Sequence, residues 1–331
     1  MTRPIVPDHP TRRTQVFMLC ALACFASPAA AQTFPLPPDG TDLVGEIQTV
    51  TVTDEDDSLS DIARRFQVGY EEIVRANPGV DPWLPRAGTV VAVPTQYILP
   101  AAPRVGIVLN VPEMRLYYYP PPAAGARATV VTHPVSVGDM DWSTPLGQTR
   151  VAAKVARPTW YPPKSIRAEH AADGDPLPAA VPPGPDNPLG DYALRLGFDG
   201  YLIHGTNKPN GIGMRVTHGC VRLYPGDIEA LFRSVPVGTP VRIVDQPYKA
   251  GWRDGVLLLE SHPPFADSKK ASPNNLTPAV QAVIAATEKK SAPIDWPRAL
   301  AAAAAANGVP EPISLPASAQ NKTPGRAAPG G

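Results

Sequence analysis

The chain has 331 residues, enough for two domains with tails, and its 30 Lys and Arg balance 30 Asp and Glu. That balance excludes the basic footprint of a nucleic-acid binder. Its 44 prolines point to extensive loops and away from a mainly helical protein.

Residues 1–31 read as an export signal. Arg3, Arg12 and Arg13 give a basic start, and residues 16–26 an apolar core too short to span a bilayer. Ala29-Ala30-Ala31 before Gln32 fits a small-residue cleavage site. Arg12-Arg13 ahead of Phe17 is a weak twin-arginine feature, so the export route stays open. Cleavage would remove Cys20 and Cys24, leaving Cys220 the only thiol and without an intramolecular disulfide partner.

Residues 32–46 are Pro-rich and aperiodic and read as a linker. Residues 47–52 alternate as a strand does. Ser58 is then an N-cap, with Asp61 at the position where a capping box usually has Glu or Gln. Leu59, Ile62, Ala63 and Phe66 follow on one helical face. Tyr70, Ile73 and Val74 suggest a second short helix, stopped by Asn77-Pro78-Gly79. Residues 89–93 form a β-branched run ended by Pro94. The βααβ order over residues 47–95, with Leu59-Ser60-Asp61-Ile62-Ala63, Asn77-Pro78 and Pro85-Arg86-Ala87-Gly88, resembles a LysM module. That resemblance implies binding to glycan strands. It departs at Glu55-Asp56-Asp57, where a Gly-Asp pair is usual in the loop that lines the sugar groove; a structural spacer is the alternative role.

A second domain is expected over residues 104–247. Residues 106–110 and 114–119 form a hairpin about Val111-Pro112-Glu113, with Tyr117, Tyr118 and Tyr119 spread over both faces. Strands are also predicted at 129–137, 147–152, 192–196 and 201–203, with a helical turn or two at 226–232 and a terminal strand within 235–244. Residues 157–190 are long, Pro-studded and weakly periodic, which suits a lid or substrate wall. Trp160 and Tyr161 are its contact candidates, although Trp160 could equally pack the loop down. A strand at 256–260 lies in an extension over 248–264. Residues 265–331 are rich in Ala and Pro; 277–290 and 295–306 are helix candidates without a wide apolar stripe, so this tail is expected to be loosely helical or disordered.

The chemistry concentrates in residues 203–223. Cys220 follows Gly219, which permits a tight turn and exposes two backbone N–H groups that suit an oxyanion. A thiol nucleophile needs a base. His204 ends a strand and has the Gly205 carbonyl nearby as an orienter; His218, two residues from Cys220, is the rival. Arg222 has the same spacing, and an arginine there lowers a thiol's pKa or holds a substrate carboxylate. A surface pairing of Arg222 with Asp227 or Glu229 is the plain alternative. Thr217 either donates a hydroxyl in the site or closes the turn. His204, His218 and Cys220, with His133 or His170, could bind zinc, but the spacing matches no metal signature, and no metal is expected.

Ile203-His204-Gly205-Thr206-Asn207, Gly211-Ile212-Gly213 and Thr217-His218-Gly219-Cys220-Val221-Arg222-Leu223 resemble the signature of the YkuD-type L,D-transpeptidase catalytic domain. Pro158-Thr159-Trp160 and Asn187-Pro188-Leu189-Gly190 resemble its periplasmic branch, which links outer-membrane lipoprotein to peptidoglycan. The resemblance implies an α+β protein with a mostly β catalytic domain and short helices, no cofactor, and a periplasmic location. It implies that Cys220 attacks the diaminopimelate carbonyl of a tetrapeptide stem, releases D-Ala and passes the acyl group to a lipoprotein lysine or a second diaminopimelate. His204 matches the family's base and Gly205 its orienter. Arg222, Thr217, His218, Trp160 and Tyr161 are left as substrate-binding candidates. A hydrolase and a non-catalytic wall-binding protein are the rival functions.

Overall fold

The computed structural model describes residues 31–53, 57–139, 142–265, 275–288 and 290–315. Residues 1–30 of the expected export signal, Glu55-Asp56 and the end of the tail from 316 on lie outside the described residues.

The stretch read as a linker is not one. It forms β1 (Gln32–Pro35), which pairs antiparallel with a later strand, and β2 (Leu43–Gly45). Both strands are short and Pro35 closes β1, so no run of alternation is long enough to read; proline is tolerated because β1 is an edge strand.

The LysM-like unit follows as predicted: β3 (Gln48–Thr51), α1 (Leu59–Phe66), α2 (Tyr70–Ala76) and β4 (Val90–Val93). Ser58 Oγ accepts from the Asp61 N–H and the Asp61 carboxylate accepts from the Ser58 N–H, so Asp serves in the capping box. Leu59, Ile62, Ile73, Val91 and Val93 are fully buried in its core. Asn77 ties the end of α2 to β4, donating to the Ile73 and Ala92 carbonyls and accepting from the Ala92 N–H, each at 2.7 Å. β5 (Gln96–Ile98) then pairs with β2.

The second domain is built on a nine-stranded sheet. Its members are β6 (Gly106–Asn110), β7 (Arg115–Tyr119), β8 (Thr129–Pro134), β10 (Gly147–Ala156), β11 (Tyr192–Leu196), β12 (Leu202–His204), β14 (Val221–Arg222) and β15 (Pro240–Val244), with β1 at one edge. The order is β1-β8-β7-β6-β15-β10-β11-β12-β14. The β6–β7 hairpin places Tyr118 in the main core and Tyr117 and Tyr119 in a second cluster on the opposite face, as expected. β15 does not terminate the sheet. It is central, between β6, to which it is parallel, and β10, and its Val241 and Ile243 are buried together in the main core. A parallel pair, β9 (Val137–Gly138) with β13 (Arg215–Thr217), brings Thr217 beside Gly138. The helix α4 (Pro225–Ser234) buries Ile228 and Leu231 in the main core.

The 157–190 segment contains a helix that the pattern hides, α3 (Lys164–Ala172). Only Ile166 of its nine residues is buried, so no stripe betrays it.

Of the expected loose tail, the described residues 275–288 and 290–315 are docked. β16 (Tyr248–Arg253), β17 (Val256–Ser261) and β18 (Glu311–Pro312) form a small sheet. Helices α5 (Thr277–Thr287) and α6 (Trp296–Ala305) form where predicted and pack on it through Ala279, Val283, Ala299, Ala302 and Ala303. Alanine lets the helix backbones approach the sheet closely, so a wide stripe of large side chains is unnecessary. Trp252 Nε1 donates to the Ala286 carbonyl at 2.8 Å and fastens α5 down.

Candidate active site

Strands β12 and β14 run parallel, with Ile203 opposite Val221 and His204 opposite Arg222. Side chains alternate along each strand. Ile203 and Val221 enter the main core, so Leu202, His204, Cys220 and Arg222 share the other face. All four line one cavity of about 990 Å³. The 157–190 segment walls it with Trp160 and Ile166, and the β11–β12 turn with Phe198 and Tyr201.

His204 is buried, and its Nδ1 lies 2.7 Å from the Gly205 carbonyl oxygen. A carbonyl only accepts, so Nδ1 carries the hydrogen and Nε2 keeps a lone pair. Burial, then the Arg222 charge, push the pKa from 6.5 down to about 3, against the opposing pull of the Gly205 and Leu189 backbone groups. The ring is neutral at physiological pH.

Asn187 fixes the Leu189 backbone. It is fully buried; its Nδ2 donates to the Pro158 carbonyl at 2.8 Å, and its Oδ1 accepts from the Leu189 N–H at 2.9 Å. Sequence reasoning assigned Asn187 no role. The Asn187-Pro188 turn signal was visible, but its partner Pro158 is 29 residues away.

Cys220 sits on a turn closed by Thr217, whose Oγ1 donates to the Cys220 carbonyl at 2.5 Å. Thr217 thus closes the turn. Gly219 has φ +93, and a Cβ there would come within 2.9 Å of the Tyr201 ring, so only glycine fits. Thr144 Oγ1 donates to the Gly219 carbonyl at 3.0 Å, a second brace that the sequence did not announce. Neither the Gly219 nor the Cys220 N–H donates to another described residue. The Cys220 Sγ lies 3.8 Å from the Gly200 carbonyl. Burial raises the thiol's pKa; a Leu202 backbone hydrogen bond and the Arg222 charge pull the other way without reversing it.

Arg222 is held by its backbone, which exchanges hydrogen bonds with Ser136 at 2.9 and 3.0 Å. Its buried Nε has no partner among the described residues. The acidic partners weighed for it are engaged elsewhere: Asp227 faces His133 at 3.4 Å and Glu229 pairs with Arg233. His218 Nε2 meets Glu169 Oε2 of α3 at 3.1 Å, and its ring lies 5.4 Å from that of Trp142. Trp160 is half-buried, with its backbone bridged to Val181 at 2.9 and 2.8 Å. Tyr161 stands at the rim, 71% exposed. Of the residues weighed as zinc ligands, His204, His218, Cys220 and His170 line the cavity without their ligand atoms converging; His170 faces Asp175 at 3.3 Å, and His133 faces Asp227 outside it. Among the described residues, ligand atoms converge only at buried Glu113, Glu260 and His262, where Lys249 Nζ lies 2.8 Å from each carboxylate.

The L,D-transpeptidase catalytic domain family, YkuD, matches residues 104–243, and the LysM domain family matches residues 51–94. The chain is similar to three Escherichia coli K12 proteins. It is 46% identical to "Probable L,D-transpeptidase YcfS" over 78% of this chain and 82% of that protein. It is 46% identical to "Probable L,D-transpeptidase YbiS" over 80% and 87%, and 43% identical to "Probable L,D-transpeptidase ErfK/SrfK" over 92% and 97%.

Proposed function

The chain belongs to the L,D-transpeptidase family, and we propose that it acts on peptidoglycan stem peptides through a thioester on Cys220. The observation that carries this reading is the tautomer of His204. Its Nδ1–H is committed to the Gly205 carbonyl, which leaves Nε2 as a base on the face shared with Cys220.

With the thiol's pKa raised and the imidazole's lowered, a resting thiolate–imidazolium pair is disfavoured. The proton therefore moves as the bond forms. Sγ attacks the diaminopimelate carbonyl carbon while His204 Nε2 takes the thiol proton. The Gly219 and Cys220 N–H groups face the developing oxyanion, where one such donor is worth roughly 3–4 kcal/mol. The C–N bond breaks, the D-Ala nitrogen takes the proton from His204, and a thioester remains. An acceptor amine then attacks and gives its proton to His204; the C–S bond breaks, and Cys220 Sγ takes that proton, restoring the thiol and the neutral imidazole. Arg222, whose Nε has no partner among the described residues, holds a stem carboxylate. The acceptor is a lipoprotein lysine or a second diaminopimelate. The reaction takes place in the periplasm, to which the residue 1–31 signal directs the chain, and the LysM-like unit holds glycan strands.

Muropeptide analysis with purified enzyme tests the reading. Wild type should give D-Ala release with a lipoprotein-linked or diaminopimelate-linked product, and Cys220→Ala should give neither. Shortened stems alone would mean that water is the acceptor. Unchanged products from Cys220→Ala would rule out the thioester.

A further inference from the structure

The segment between His204 and Cys220 is not supported by the catalytic domain alone. The first two amides of α2, in the LysM-like unit, donate across the domain boundary: Tyr70 N–H to the Ile212 carbonyl at 3.1 Å and Glu71 N–H to the Gly213 carbonyl at 3.2 Å. These amides have no acceptor within their own helix. Gly213 has φ +84, and a Cβ there would lie 2.3 Å from the Gly69 Cα, so two glycines let the backbones touch.

The contact is locked from behind. Glu72 accepts from the Gly69 N–H at 2.5 Å and from Arg115 Nε and Nη2 at 2.9 and 2.7 Å. Both side chains are buried, and Arg115 belongs to β7 of the main sheet. Beyond the contact, Ser136 Oγ donates to the Gly211 carbonyl at 2.6 Å and Val137 N–H to that of Met214 at 3.3 Å. The chain then enters β13 and reaches Thr217, whose hydroxyl holds the Cys220 carbonyl.

We propose that the LysM-like unit is a structural part of the active site: the start of α2, clamped by the Glu72–Arg115 pair, positions the segment that delivers Cys220. Tyr70, through its N–H, and Gly213 are positioning residues. The inference rests on Cys220 being the nucleophile. It treats this module as a fixed support and not only as a tethered glycan anchor.

Tyr70→Pro tests it with little disturbance elsewhere. Proline is favoured at the first position of a helix, where its missing N–H breaks no helical bond. Gly69 is already extended, at φ −80 and ψ 155, as a residue before proline must be. The variant therefore keeps α2 but puts a ring methylene in place of the cross-domain N–H, so the Ile212 carbonyl can no longer approach at 3.1 Å. Tyr70→Ala is its matched control, losing the same ring and keeping the N–H. The readout is the first-order rate constant for acylation of Cys220 by a carbapenem, per titratable thiol in the full chain. Mass spectrometry assigns the adduct, and thermal midpoints are recorded in parallel.

Tyr70→Pro and Gly213→Ala should each slow acylation about tenfold or more, since a displacement of about 1 Å far from the chemistry can cost roughly 10²-fold. Tyr70→Ala and the exposed-site Arg86→Ala should keep the wild-type constant. A purely structural role would lower the midpoint or the thiol count but leave the constant per thiol unchanged, and Tyr70→Pro matching Tyr70→Ala in rate would overturn the proposal. Wild type that leaves Cys220 unmodified would instead defeat the nucleophile assignment, and this inference with it.

Discussion

His204 keeps its lone pair because burial and the Arg222 charge hold its pKa at about 3. Its neutral form, the only form that can take a proton, is therefore almost fully populated above about pH 5. Acylation of Cys220 should show no loss attributable to the base as pH falls from 8 to 5, read as the rate constant per titratable thiol. An acid limb within that range would overturn the assignment of His204 as the base. His204→Ala should slow acylation by about 10²–10⁴-fold, the usual worth of a general base. His218→Ala should change it far less, because that ring is engaged with Glu169 and Trp142. What the sequence makes legible at this scale is the chemistry that stands alone: the one cysteine beyond residue 31, a histidine ending a strand, an arginine two residues on. It hides groups that act on other groups. Asn187, the Leu189 backbone and Thr144 reach their partners only once strands far apart in sequence are packed together.

Elements were legible where a face repeats. α1 shows four apolar residues at helical spacing and its own cap, and the β6–β7 hairpin shows two apolar runs about a proline turn. They were illegible where burial is local or one-sided. β1 and β2 are too short to repeat, and α3 buries only Ile166. α3 nevertheless contributes to the cavity, and the His218–Glu169 contact ties it to the turn that carries Cys220. That pair is half-exposed, so its loss should cost little stability, about 0–1 kcal/mol. Glu169→Gln should act instead on substrate capture: KM for a tetrapeptide stem should rise while kcat stays near wild type. An unchanged KM would mean that the contact does not hold this wall in place. A large fall in kcat alone would mean that His218 takes part in the chemistry after all.

The whole molecule is joined at buried charges rather than at broad apolar interfaces alone. Glu72–Arg115 fastens the LysM-like unit to the main sheet. At the other end, Lys249 Nζ lies 2.8 Å from both Glu113 Oε2 and Glu260 Oε1, and His262 Nε2 is 2.7 Å from Glu260. The Ile98 N–H donates to Glu260 Oε2 at 2.6 Å, so the cluster joins β5, the β6–β7 turn and the C-terminal sheet. Sequence composition could not reveal it, because a balanced charge count is silent on which charges are buried. Burial raises the Glu260 pKa, but Lys249 and His262 more than offset this and hold it below the ordinary carboxylate value. The folded form therefore binds fewer protons there than the unfolded chain. The stability it lends is full above the unfolded value of about 4.5 and is lost as pH falls through the lower folded one. Lys249→Met keeps the stem but leaves two buried carboxylates facing each other, which should cost about 3–5 kcal/mol in urea unfolding at pH 7. The double variant Lys249→Met with Glu113→Gln should recover part of that loss, because one of the two facing carboxylates is gone. No recovery would mean that Lys249 acts through its hydrogen bond to the Ile98 carbonyl, at 2.7 Å, and not through charge.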